Sequence, residues 1–115
     1  MDDTRLTKDA DALLCVLYRE YLNRRASGKS KADARFFSGS DYIHKELMPK
    51  WSIEDVDETC RELSRAGMLK CLFADNVTYL ANLTDLAIIH QEYRFQDNVS
   101  ELFQYLEKLR ALLPW

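Results

Sequence analysis

At Gly67 the spacing of the apolar residues changes, and that change constrains the fold more than any other feature of the chain. Before it, Ile53, Val56, Cys60 and Leu63 recur at intervals of three and four, the stripe of an amphipathic helix. Ser52 precedes them as an N-cap, and Glu54 and Asp55 fill the first turn, where the helix dipole favours negative charge. Gly67 stands where a C′ glycine ends a helix. After it, Leu69, Cys71 and Phe73 alternate with Lys70 and Leu72, and Val77, Tyr79 and Ala81 alternate with Thr78 and Leu80. That is the period of strands, and Asp75-Asn76 between them can adopt the positive φ angles of a two-residue hairpin turn. Thr84 then caps a helix through Leu86, Ile89, His90 and Tyr93. The expected class is mainly α with a small β-hairpin, an α+β chain.

The flanking segments complete the order. Ala10, Leu13, Leu14, Leu17, Tyr21 and Leu22 predict a first helix capped by Thr7, with Asp9 and Asp11 in its first turn, fading between Arg25 and Gly28. Residues 23–31 read as a polar, basic loop, and Arg35-Phe36-Phe37 as a brief strand. Ser40 is expected to cap a short helix through Tyr42, Ile43, Leu47 and Met48, stopped before Pro49. Asn98-Val99-Ser100-Glu101 has capping-box spacing and opens a last helix to about Leu113.

With 115 residues the chain suits one compact unit, and no apolar run approaches the ~18–20 residues of a membrane span. The start, Met1-Asp2-Asp3-Thr4-Arg5, has neither the basic start nor the apolar stretch of a signal peptide, and a cytoplasmic location is expected. Cys15, Cys60 and Cys71 are widely spaced in apolar surroundings and read as reduced core thiols. No ligand pair has metal-site spacing, so neither metal nor cofactor is expected. Gly28-Lys29-Ser30 has the end of a P-loop, but position 23, where its first glycine belongs, is Asn23, and the segment follows a helix. His44 and His90 read as structural histidines, and Cys60 has no indicated base. No catalytic residues are assigned and no enzyme is expected.

Helix, short strand, helix, turn, helix, hairpin, helix is an order that resembles the winged helix-turn-helix domain over about residues 8–96. Arg65-Ala66-Gly67-Met68-Leu69 is similar to that family's exit from the recognition helix into the first wing strand, and Tyr79-Leu80-Ala81-Asn82-Leu83-Thr84 to the second strand entering a capped helix. Small bacterial transcriptional regulators are similar in this way. The resemblance implies a winged-helix unit over 1–96, an extra C-terminal helix over 97–115, a helix-turn-helix formed by 41–48 and 53–66, and DNA as partner. On that reading Arg24, Arg25, Lys29, Lys31, Arg35, Lys45, Lys50, Arg61 and Arg65 are the candidate DNA contacts.

Charge divides the candidates. The expected exposed face of 53–66 carries Glu54, Asp55, Asp57, Glu58, Arg61, Glu62 and Arg65, more acid than a phosphate backbone favours. Three readings stand for it: a solvated face paired through Asp57–Arg61, Glu58–Arg61 and Glu62–Arg65, a surface for a protein partner, or base reading by Arg61 and Arg65. Upstream, Arg19, Arg24, Arg25, Lys29, Lys31 and Arg35 face only Glu20 and Asp33, giving either a solvated linker or a phosphate-contacting loop aided by Ser27, Gly28 and Ser30. The alternatives are therefore a DNA-binding regulator and a winged-helix module whose acidic third helix meets a partner protein. In the last helix, Val99, Leu102, Phe103, Leu106, Leu109 and Leu113 form a stripe that either seals the monomer or makes a homodimer interface.

Overall fold

The computed structural model describes residues 5–96 and 98–115. Among them, the elements are α1 (Lys8–Ala26), α2 (Lys31–Ala34), α3 (Ser40–Tyr42, continued by a π-helical turn Ile43–Leu47), α4 (Ile53–Arg65), β1 (Leu69–Ala74), β2 (Val77–Leu83), α5 (Asp85–Phe95) and α6 (Val99–Leu112). The fold is mainly α with one small antiparallel hairpin, as expected from the change of period.

Local chemistry sets the boundaries. Thr7, Ser52, Thr84 and Asn98 accept the N–H groups of Ala10, Asp55, Ala87 and Glu101, satisfying donors that a helix start leaves free. Gly67 ends α4 at φ +81°, a conformation that penalises any Cβ. Asp75 and Asn76 both have positive φ, the pattern of a type I′ turn whose twist matches the strands.

Four expectations need correction. Residues 23–31 are a loop only over 27–30: α1 ends at Ala26, within the expected range, and Ser30 caps the extra turn α2 by accepting from the Asp33 N–H. Arg35–Phe37 is reduced to a single bridge, Phe36 opposite Asn82, because only the Phe37 N–H to Ala81 carbonyl and Leu83 N–H to Arg35 carbonyl bonds form there. Gly39, not Ser40, is the cap of α3, and the turn widens to π before Met48. A Cβ at Gly39 would lie 2.6 Å from the Thr78 carbonyl oxygen, so glycine permits this close approach to β2. Finally, the strand alternation is interrupted. Leu72 pairs with Leu80 but Phe73 with Thr78, leaving Tyr79 as an extra residue that turns Thr78 inward and Tyr79 outward.

The core is built around α1. From Ala12 to Tyr18 every residue is buried, and α2, α4, α5 and α6 all touch this helix. Leu102, Leu106 and Leu109 of α6 are buried in the same core as Leu13, Leu14 and Leu17. Of the two readings of the α6 stripe this favours the first: its inner residues seal the monomer, Leu113 is half-buried, and only Val99 and Phe103 of the candidate interface stay exposed. No described helix is long and apolar enough to cross a membrane.

Candidate functional site

The structure disperses the candidate cations. Arg24 is a structural staple: its Nε meets Glu20 at 3.1 Å, Nη1 donates to the Phe36 carbonyl at 2.6 Å, and Nη2 to the Tyr42 hydroxyl at 2.9 Å. Its guanidinium also lies 4.6 Å from the Phe37 ring centroid. Arg35 donates to the Leu83 carbonyl and to Asp85, and Lys31 reaches the same carboxylate at 3.4 Å. Hydrogen bonds from Arg35 and Lys31 hold the Asp85 carboxyl below its usual range. The Ser27 O–H is used on the Arg24 carbonyl, whereas Ser30 accepts the Asp33 N–H as a cap. Arg25 donates to the Lys29 carbonyl from an exposed position, and Lys29, Lys45, Lys50 and Arg65 are exposed with no ion pair to any described residue.

The acidic helix is also rearranged. Asp57 is buried, not exposed, and its Oδ1 accepts the Thr78 N–H at 2.9 Å, fixing the hairpin to α4. Glu62 accepts both the N–H and the hydroxyl of Thr7, at 3.0 and 2.8 Å, and so anchors the start of α1. Of the three expected helical pairs only Glu58–Arg61 forms, at 3.0 Å; the other two acids are claimed by distant backbone and side-chain donors. Arg61 also donates to the Asn76 carbonyl at 2.8 Å, so the acidic helix and the hairpin turn meet there. Glu54, Asp55 and Glu58 stay exposed.

A surface that periodicity did not reveal lies on the hairpin. Leu72 and Leu80 form a cross-strand pair, 58% and 40% exposed, and the displaced Tyr79 beside them is 53% exposed. Phe36, bridged to Asn82, extends the apolar surface at the base. A second exposed row, Leu86, Ile89 and Tyr93, runs along α5, with Tyr93 85% exposed. The adjacent apolar letters Tyr79-Leu80 were the available sign that strict alternation fails, but not of which residue would turn outward.

Comparison with protein families, curated proteins and solved structures returns no match.

The remaining ionisable groups are embedded. Asp11 of α1 accepts from Arg94 of α5 through two bonds, 2.5 and 3.0 Å, and from the Tyr105 hydroxyl of α6. Burial works against its charge, but these hydrogen bonds and the Arg94 charge outweigh it and hold the carboxyl below its usual range. Tyr105 is pushed up to about 12 by burial and by the Asp11 carboxylate it serves. Burial raises the Cys15 and Cys60 thiols to about 12 and Cys71 to about 11, so all three are protonated at neutral pH. His44 lies with Nδ1 3.2 Å from the Met48 carbonyl, and His90 beside Leu6, Asp11 and Arg94 in an open polar hollow. Among the described residues no group of three or more His, Cys, Asp and Glu could hold a metal ion.

Proposed function

We propose that the chain is a non-catalytic winged helix-turn-helix module that docks a protein partner through its hairpin wing. The element order and the Phe36–Asn82 bridge at the base of the wing support the winged-helix assignment. The observation that carries the docking role is the outward wing face, where Leu72, Tyr79 and Leu80 stand in solvent. Solvated apolar side chains clustered on a strand pair mark an interaction surface, whereas a DNA-contacting wing presents cations. Glu54, Asp55 and Glu58 on the adjoining helix suit a partner with an apolar centre and a basic rim. Three reduced thiols fit a cytoplasmic setting.

Fluorescence anisotropy with a random-sequence duplex tests the choice. Binding weaker than about 100 µM at physiological salt is expected. Low-micromolar binding that weakens steeply with salt, and that Arg25→Ala with Lys29→Ala reduces, would overturn the docking reading in favour of a DNA-binding regulator. In affinity capture, Leu72→Glu with Leu80→Glu should abolish recovery of the partner; unchanged recovery refutes the role of the wing. Self-association, if present, is assigned to Leu86, Ile89 and Tyr93 of α5, because the inner stripe of α6 is already used. Light scattering on Tyr93→Glu checks that assignment: a dimer that survives the substitution places the interface elsewhere.

A further inference from the structure

Arg19 differs from the other half-buried arginines. Arg24, Arg35, Arg61 and Arg94 each hold a carboxylate oxygen within 3.1 Å, but Arg19 makes no ion pair or hydrogen bond with any described residue. It borders a hollow of about 340 Å³ between α1 and α6, lined also by Phe103, Leu106, Glu107, Arg110 and Trp115. Arg110 has no carboxylate partner either, and stacks 5.0 Å from the Trp115 ring centroid. Burial and then the neighbouring Arg110 charge both pull the Arg19 pKa down, with Glu20 and Glu107 only partly opposing them. Trp115 is buried, and its indole N–H has no acceptor among the described residues. Arg110 is exposed, but holding the half-buried Arg19 guanidinium beside that like charge without a carboxylate partner is costly, and a bound anion removes that cost.

We propose that this hollow binds a small organic monocarboxylate, with the carboxylate between Arg19 and Arg110 and an aromatic or aliphatic body against Phe103 and Leu106. The charge count selects a monoanion. Glu20 is paired with Arg24 at 3.1 Å, so the two guanidinium groups and the Glu107 carboxylate of the lining leave one net positive charge, which one carboxylate neutralises and a dianionic phosphate overcompensates. The volume lies at the small end of ligand pockets, which fits a single ring bearing a carboxylate. The apolar wall distinguishes the site from a simple anion patch: Leu106 is buried and Phe103 half-covered. The site is separate from the wing and does not depend on the docking role.

The chain has two tryptophans, so Trp51→Phe leaves Trp115 as the only one and makes it the reporter. Benzoate, benzamide and inorganic phosphate are titrated while Trp115 emission is followed. Benzoate should give a saturable change with Kd of about 0.1–1 mM, ordinary for a ligand of this size. Benzamide and phosphate should each bind at least tenfold more weakly. Arg19→Gln, and separately Arg110→Gln, should weaken benzoate at least tenfold; thermal melting of each variant confirms that it is folded, and two positions protect the test against failure of one. No saturation by ~10 mM benzoate, well beyond the expected range, overturns the proposal. Equal binding of benzamide, equal binding of phosphate, or undiminished affinity in both folded variants overturns it as well.

Discussion

Replacing Asp11 with asparagine tests the polar clamp that joins three helices. The substitution keeps the shape but removes the charge that Arg94 and Tyr105 address from α5 and α6. Breaking a fully buried pair costs about 3–5 kcal/mol, because the surviving partner is left desolvated. Here the side chains of Asp11 and Arg94 are 15% and 27% exposed, so water relieves part of the loss. A cost of about 2–3 kcal/mol is expected, which at roughly 4 °C per kcal/mol for a chain of this size lowers Tm by about 8–12 °C. The pH dependence is the sharper signature. Asp11 has a lower pKa folded than unfolded, so its stabilisation is complete above the unfolded value and is lost as pH falls through the lowered folded one. The Tm difference between the parent chain and Asp11→Asn should therefore be full at neutral pH and close under strongly acidic conditions. Scanning calorimetry across this range reads both effects. A loss below about 2 °C at neutral pH, or a difference that does not change with pH, would refute the clamp.

Three more outcomes follow from individual contacts. Gly39→Ala should cost at least about 2 kcal/mol in urea unfolding, since the added carbon meets backbone oxygens of Thr78 and Tyr79 that cannot move without disturbing β2. Leu102→Ala should cost about 2–5 kcal/mol in the same assay; a loss under 1 kcal/mol would show that α6 is not part of the core. With a thiol reagent at neutral pH, Cys71 should react ahead of Cys15 and Cys60, because it is the less buried and its thiol is raised only to about 11 against about 12.

What could be read from the sequence is what one turn of chain decides. Thr7, Ser52, Thr84 and Asn98 cap by bonding a group three residues away, and Asp75-Asn76 closes its turn by its own backbone preferences. Roles set across the fold were not visible. Asp57 has the spacing of a surface acid, yet it is buried because its partner, the Thr78 N–H, arrives from 21 residues away. Arg24 sits in a basic run that suits phosphate, and the partners that occupy it belong to α1 itself, the segment after α2, and α3. The outward turn of Tyr79 depends on a register shift that no local preference announces. The stripe of α6 was legible as a stripe, but the same spacing serves a core and an interface, and only the position of α1 decides between them.

The encirclement of α1 also bears on how the chain is made. Its buried stretch leaves the ribosome first, while α6, which covers part of it, is synthesised last among the described elements. At roughly 5–20 residues per second, several seconds separate the emergence of Ala26 from that of Leu112. Through that interval the apolar face of α1 that α6 covers stays open on the nascent chain. Chaperone holdases should engage that face over this window and let go once α6 has emerged.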